Sequence, residues 1–196
     1  MKTRIVFILD RSGSMANVRK DTIGGFNSFL KQQKKIDGDV KFTLAQFDNK
    51  YELIYDNVDI KRVKKLDNDT FVPRGATALL DAIGRTINGM SRRKKDETIL
   101  IAILTDGYEN DSREYNNDQI NKLIKKCRKK DWAITFLAAN EDAFKTAQQY
   151  GISINNTMSF ANTGKGHRDT YLDVGNAFFT MACCGGDTDN LFNTGK

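Results

Sequence analysis

The sequence predicts an α/β protein in which helices cover both faces of a mostly parallel β-sheet. Strand-like and helix-like segments alternate along the 196 residues, which is typical of strands joined by helical crossovers. Three of the strand-like segments are apolar throughout, as expected for parallel strands that are buried on both faces. A domain of this length buries roughly 70% of its unfolded surface and needs no disulfide or metal to hold its core.

The N-terminal part of the chain predicts one strand, one helix and a hairpin. An apolar, β-branched segment that stops at Asp10 predicts a strand over residues 2–9. The next apolar residues recur on one helical face and predict a helix over residues 18–35. Two strand-like runs, 40–47 and 51–55, are separated by a short polar turn. They predict an antiparallel hairpin that supplies one antiparallel edge strand.

The remainder of the chain continues the alternation. Helices are predicted over residues 77–90, 117–130, 142–150 and 171–181, and strands over residues 98–104, 132–138 and, with a weaker pattern, 152–160. The last fourteen residues show little periodicity. We therefore expect one domain over residues 1–182, followed by an irregular tail over residues 183–196.

Composition and hydropathy exclude several classes of protein. The chain is 39% hydrophobic and 29% charged, with a net charge of +6, which is an ordinary globular balance. No apolar run approaches the length of a membrane span, and the N-terminal apolar segment is shorter than the hydrophobic region of a signal peptide. Three cysteines, two of them adjacent, form no disulfide framework, so we expect a cytoplasmic protein.

Oxygen-bearing side chains follow two of the apolar strands directly. Asp10, Ser12 and Ser14 come after the first strand, Asp106 comes after the fourth, and Thr77 precedes the central helix. Open parallel sheets bind ligands at the carboxyl ends of their strands, so we expect these side chains to lie together. Carboxylate and hydroxyl oxygens suit Mg²⁺, Mn²⁺ or Ca²⁺ rather than zinc. Because only two of the residues are charged, a bound dication would still accept a carboxylate from outside.

These residues resemble the metal-ion-dependent adhesion site of the von Willebrand factor type A (VWA) domain family. The pattern Asp10-x-Ser12-x-Ser14, together with Thr77 and Asp106, matches that site, and the order of elements is similar over about residues 3–180. The resemblance implies a doubly wound, Rossmann-like fold: a six-stranded, mostly parallel sheet with one antiparallel edge strand and helices on both faces. It also implies that the two serines and the threonine contact the metal and that the aspartates act directly or through water.

The function implied by this resemblance is that of a binding module and not of an enzyme. We expect a small, stand-alone intracellular member of the family that acts as an adaptor or scaffold. It would dock an acidic Asp or Glu side chain of a partner protein on a bound Mg²⁺, with Mn²⁺ or Ca²⁺ as alternatives. No catalytic residue, organic cofactor or membrane partner is expected.

Three other interpretations of the sequence stay open. In one, Ser12, Ser14 and Asp106 only satisfy backbone groups at turns. In another, basic runs at 31–35, 92–95 and 125–130 lie at the ends of predicted helices. They would form a basic surface at the end of the sheet opposite the metal site, and this surface would bind nucleic acid. The third is phosphoryl transfer of the haloacid dehalogenase type, but Ser12 stands where that chemistry needs a second aspartate.

Several further residues carry expectations of their own. The loop at 108–115 is expected beside the ion, where it either contacts a partner and tunes the metal or is simply a polar loop. An acidic rim is expected at the same end of the sheet, formed by Asp10, Asp48, Asp106, Glu109, Asp111, Glu141 and Asp142. His167 is expected in an exposed loop, Cys127 on the inner face of its helix, and Cys183 and Cys184 as buried thiols.

Overall fold

The computed structural model describes residues 2–90, 96–139 and 142–192. The basic run at 92–95, Glu141 and the last residues of the predicted tail, 193–196, lie outside the described residues. Six strands form one sheet: β1 (Lys2–Asp10), β2 (Asp39–Phe47), β3 (Tyr51–Asp59), β4 (Glu97–Thr105), β5 (Ala133–Ala138) and β6 (Thr157–Ser159). None of the described helices is long and apolar enough to cross a membrane.

The sheet has the strand order β3-β2-β1-β4-β5-β6. Strand β3 pairs with β2 in antiparallel fashion, and the other neighbours are parallel. The chain first builds outward from β1 through β2 to β3 and then returns to build from β4 to β6 on the other side. This confirms the predicted doubly wound α/β fold with one antiparallel edge strand, and it places the reversal of strand order between β1 and β4.

Helices cover the two faces of the sheet and produce two apolar clusters. The helices are α1 (Arg19–Gln33), α2 (Leu79–Gly89), α3 (Asn117–Arg128), α4 (Ala143–Tyr150) and α5 (Gly164–Cys184). Along β1, alternate residues point to opposite faces. Phe7 packs among residues of α1 and α5, whereas Val6 and Ile8 belong to the cluster that contains residues of α2, α3 and α4. Both faces of the central strands are therefore buried, which explains their unbroken apolar sequence.

Three elements differ from their predicted bounds by four residues or more. Strand β3 runs to Asp59, where the strand was predicted to end at residue 55. The strand predicted over 152–160 is only Thr157–Ser159, because a short 3-10 turn (Ile154–Asn156) precedes it. Helix α5 begins at Gly164, seven residues before its predicted start. Its first turn contains two glycines, which are poor helix formers and hide the helix in the sequence.

The chain after α5 folds back onto the body of the domain. Arg128 donates two hydrogen bonds to the Asp189 carboxylate at 2.7 and 2.9 Å, and Leu191 is buried. Cys183 and Cys184 are exposed, so the expectation of buried thiols is wrong; they lie off the face of α5 that carries Val174, Phe178 and Met181. Cys127 lies on the inner face of α3, as predicted.

Candidate metal site

The point where strand order reverses brings the two predicted aspartates to adjacent strand ends. Asp10 is the last residue of β1, and Asp106 directly follows β4, its parallel neighbour. Where strand order reverses, the chain leaves the two neighbouring strands in opposite directions and a crevice forms at their carboxyl ends. This crevice is the usual ligand site of open α/β sheets. The segment after β1 continues as a short 3-10 turn, Gly13–Val18, so Ser12 and Ser14 stay close to Asp10.

Three hydroxyl groups converge on the backbone of Gly107. The Oγ atoms of Ser12 and Ser14 lie 3.0 Å apart. A methyl group placed on Gly107 would lie 3.1 Å from Oγ1 of Thr77, 3.6 Å from Oγ of Ser14 and 3.9 Å from Oγ of Ser12. Gly107 therefore keeps open a cradle lined by three neutral oxygens. Gly107 was not among the predicted site residues, although it directly follows Asp106 in the sequence.

Asp10 lies fully buried beneath this cradle. Its Oδ1 accepts the backbone N–H of Ser12 at 2.6 Å, and its Oδ2 accepts the hydroxyl of Thr105 at 2.5 Å. Burial raises the pKa of Asp10 to about 6; the charge of Asp106 adds to this effect, and the hydrogen bonds from Thr105 and Ser12 oppose it. Thr105 is a site residue that sequence reasoning missed, although it immediately precedes Asp106.

Asp106 is held by neutral donors on both of its oxygens. Ser14 donates its hydroxyl to Oδ1 at 2.5 Å, and the amide nitrogen of Asn162 lies 3.4 Å from Oδ2. Burial raises the pKa of the Asp106 carboxyl. None of the ion pairs within the described ranges involves Asp10 or Asp106. Two buried carboxylates that no described cationic side chain neutralises, together with three hydroxyls, form an oxygen donor set that fits Mg²⁺.

The loop after Asp106 fixes Thr77 and the start of α2. The backbone N–H of Thr77 donates to Oδ1 of Asn110, and the N–H of Asn110 donates to the Thr77 carbonyl. Glu109 accepts the N–H of Leu80 in the first turn of α2, and Asp81 accepts three N–H groups from residues 113–115. Glu109 and Asp81 thus stabilise the loop and the helix start. Tyr108, by contrast, is 59% exposed beside Gly107.

The expected acidic rim is interrupted at Asp48. This residue lies at the carboxyl end of β2, but it is fully buried, and its Oδ2 accepts Nε of Arg11 at 3.0 Å and Nε of Arg74 at 2.9 Å. Both arginines also pair with Glu52. The hydrogen bond from Arg11, together with the nearby Arg74, lowers the pKa of Glu52 to about 2. This part of the rim is therefore neutralised by arginines that the sequence analysis did not place there.

His167 does not lie in an exposed loop, so that expectation is wrong. It is fully buried in the first turns of α5, where its Nε2 lies 3.1 Å from Oδ1 of Asn162. Burial lowers the pKa of His167 to about 4, with Asp21 opposing the shift. The early start of α5 accounts for this difference, since it turns the predicted loop into helix.

Comparison with known proteins agrees with this architecture. The sequence model of the von Willebrand factor type A domain matches residues 5–165. Proximal thread matrix protein 1 from the mussel byssus, in a structure with a zinc-occupied MIDAS motif, superposes with a TM-score of 0.68 at 15% identity, covering 90% of this chain and 46% of that chain. A search of curated proteins found no match.

Two further solved structures share the fold. The pilus adhesin SpaC from Lactobacillus rhamnosus GG gives a TM-score of 0.69 at 12% identity, over 91% of this chain and 30% of that chain. The SpRpn10 VWA domain gives a TM-score of 0.60 at 15% identity, over 88% of this chain and 94% of that chain. The chain spans less than half the length of the mussel protein and of the adhesin, and at these identities the similarity shows the fold alone.

Proposed function

The chain belongs to the von Willebrand factor type A domain family, and from that premise we propose that it is a metal-dependent protein-binding module. In this proposal residues 1–182 form the domain and residues 183–196 a tail. Asp10, Ser12, Ser14, Thr77 and Asp106 together hold one Mg²⁺, as a complete metal-ion-dependent adhesion site. A partner protein binds by placing an Asp or Glu carboxylate on that ion, so the chain acts as an adaptor and not as an enzyme.

One observation carries the proposal: two buried carboxylates, which form no ion pair with any described residue, adjoin three hydroxyls that lie near Gly107. An uncompensated buried charge is costly, and a bound cation would remove that cost. Bound there, Mg²⁺ would supply a positive charge with coordination sites left for an outside carboxylate. Thr105 would orient Asp10, and Gly107 would leave room for the ion. The exposed Tyr108 would lie where a partner arrives.

The geometry around Asp10 argues against phosphoryl transfer. An aspartate nucleophile needs a free oxygen that faces the substrate. Both oxygens of Asp10 accept hydrogen bonds from the protein, and the side chain is fully buried. Ser12, two residues on, has no acidic proton to donate to a leaving group.

The compartment proposed for the protein is the cytoplasm. The three cysteines are free: Cys127 is buried, and Cys183 and Cys184 are exposed. Exposed free thiols are typical of reducing compartments and uncommon in secreted proteins.

The first test is a pull-down from an extract of the source cell. Wild type and Asp106→Ala serve as baits, each in Mg²⁺ and in EDTA, and Asp56→Ala, on the exposed edge strand, is the matched control. We expect a protein partner that is retained by wild type and Asp56→Ala only in Mg²⁺, and never by Asp106→Ala. A partner retained in all conditions would contradict docking on the metal. A parallel calorimetric titration with Mg²⁺, Mn²⁺, Ca²⁺ and Zn²⁺ identifies the ion.

A second candidate function has one observation in its favour. Exposed basic side chains from two segments meet at the end of the sheet opposite the metal site, where Nζ of Lys34 donates to the Val63 carbonyl at 2.6 Å. Those exposed side chains are Lys31, Lys35, Lys61, Arg62, Lys64 and Lys65. None of them takes part in an ion pair within the described parts of the chain. Such a surface fits a phosphate backbone.

The nucleic-acid function is tested by a gel-shift titration at several salt concentrations. Affinity should fall steeply with salt and should be lost in the Lys61→Glu/Lys65→Glu variant, while Asp106→Ala should bind as wild type does. Absence of a shift at low salt would rule out this second function without affecting the first.

A further inference from the structure

The single histidine of the chain is buried near the candidate metal site without being one of its proposed ligands. The ring of His167 packs edge-on against Phe160, with centroids 4.8 Å apart. Its Nε2 bonds Oδ1 of Asn162 at 3.1 Å, and its Nδ1 has no hydrogen-bond partner among the described residues. Within that part of the chain, the bond to Asn162 is the hydrogen bond that the ring makes.

The direction of the hydrogen bonds follows from their partners. The carboxylate of Asp106 only accepts, so the Asn162 group that faces it at 3.4 Å is the amide nitrogen. The amide oxygen then faces His167 and can only accept, which places the histidine hydrogen on Nε2. Burial lowers the pKa of His167 to about 4, so the ring is neutral at pH 7 and carries this one hydrogen. Donation thus runs from His167 to Asn162 and from Asn162 to Asp106.

The backbone around Asn162 is held onto the start of α5. The hydroxyl of Thr163 accepts the N–H of Gly166 at 3.1 Å, and the N–H of His167 donates to the Thr163 carbonyl at 3.0 Å. A side chain on Gly166 would collide with the Ala161 carbonyl, so this glycine permits the close approach of the loop. Asn162 is therefore fixed at its backbone by the loop and at its side chain by His167.

Asn162 and Ser14 hold different oxygens of Asp106. A serine hydroxyl has one O–H and two lone pairs, so Ser14 can direct a lone pair toward an ion and still donate to Oδ1 of Asp106 at 2.5 Å. Asn162 faces the opposite oxygen, Oδ2, and so restricts rotation of the carboxylate that Ser14 alone would allow. Donors of this kind commonly change metal affinity by 10- to 100-fold.

We propose that Asn162 and His167 are positioning residues for Asp106: Asn162 orients the carboxylate, and His167 orients the Asn162 amide. The inference rests on the proposed function, since it concerns a cation held at Asp10, Ser12, Ser14, Thr77 and Asp106. It adds a contribution from α5 and the loop before it, which supply none of those ligands.

The experiment measures Mn²⁺ binding by calorimetry and by electron paramagnetic resonance, with the full chain. Asn162→Ala should weaken Mn²⁺ about 10-fold, and His167→Leu, which removes the donor at similar volume, should weaken it by a similar or smaller factor. The double variant should be no weaker than Asn162→Ala alone, because His167 acts through Asn162. His167→Gln retains an N–H donor and should recover part of the loss.

Asn176→Ala is the matched control, because it removes an asparagine from α5 whose amide oxygen accepts a hydrogen bond from Gln32 and not, among the described residues, from the candidate site. Thermal melts in EDTA show that each variant is folded. Wild-type affinity in Asn162→Ala would overturn the positioning role, as would additive losses in the double variant. Failure of wild type to bind Mn²⁺ would instead overturn the metal site itself, so the two failures are distinguishable.

Discussion

Two buried carboxylates at neighbouring strand ends have different kinds of hydrogen-bond partner. Asp48, after β2, accepts hydrogen bonds from two arginines, Arg11 and Arg74. Asp10, at the end of β1, accepts from a hydroxyl and a backbone N–H, and from no cation among the described residues. Both are fully buried, so burial alone does not distinguish them. The difference is that no described cationic side chain pairs with Asp10 or Asp106, whereas Asp48 belongs to an ion-pair network; this is the feature on which the proposed cation site rests.

The comparison also explains why Arg11, which lies between Asp10 and Ser12 in the sequence, does not neutralise Asp10. Arg11 follows Asp10 in the sequence but turns its guanidinium away from it, toward Asp48 and Glu52. Because extended backbone alternates its side chains, neighbouring residues at a strand end face opposite ways. Arg11, the cation nearest to Asp10 in the sequence, therefore pairs with other carboxylates, and no other described residue supplies Asp10 with a countercharge.

The largest expected effect comes from removing the charge of Asp48, the carboxylate that is paired with arginines. Asp48→Asn leaves Arg11 buried with only the half-exposed Glu52 as its acidic partner, and it weakens the hydrogen bond from the N–H of Lys50. We expect a loss of about 3 kcal/mol in the free energy of unfolding, because removing one member of a buried ion pair strands the other. Urea unfolding in EDTA and in Mg²⁺ should show the same loss. A loss confined to one of the two conditions would contradict a purely structural role.

The second largest effect concerns Asp10, the carboxylate that is not paired with an arginine. Asp10→Asn removes a buried charge whose pKa burial has raised, so in EDTA it should cost less than about 1 kcal/mol or even stabilise the fold. Wild type in Mg²⁺ at 100 times its Kd should gain about 2.7 kcal/mol, and the variant should gain nothing. The same urea titrations measure both quantities. If Asp10→Asn unfolds in EDTA as readily as Asp48→Asn does, the distinction between the two carboxylates is wrong.

The elements, and the meeting of the candidate side chains at one edge of the sheet, could be predicted from the sequence, since both depend on local pattern. Apolar runs give the strands, and the residues that end them must lie at the carboxyl edge. The partners of Asp106 could not be predicted in this way. Asn162 and His167 reach the site only because α5 begins at Gly164, in a glycine-containing segment without helical signal. The pairing of Asp48 with Arg74 likewise depends on a contact between segments 26 residues apart.

The smallest expected effect is the pH dependence of the stability that Glu52 contributes through its ion pairs with Arg11 and Arg74. The pKa of Glu52 is about 2 in the fold against an ordinary 4.5, chiefly because of Arg11. A carboxyl with a lowered pKa stabilises the fold above its ordinary pKa, and this contribution is lost as the pH falls from 4.5 toward 2. Because the Glu52 side chain is 42% exposed, water screens the pair, and we expect no more than about 1 kcal/mol.

Glu52→Gln isolates this contribution. At pH 6 the variant should be less stable than wild type by up to about 1 kcal/mol, and the two should converge as the pH approaches 2, where wild type has also lost the charge. Urea unfolding at pH 6, 4 and 2.5 measures the difference, and Asp56→Asn on the same strand controls for loss of an exposed carboxylate. A difference that stays constant across this range would show that Glu52 acts by packing rather than by charge. Asp48 would then be the acid that pairs by charge with both Arg11 and Arg74.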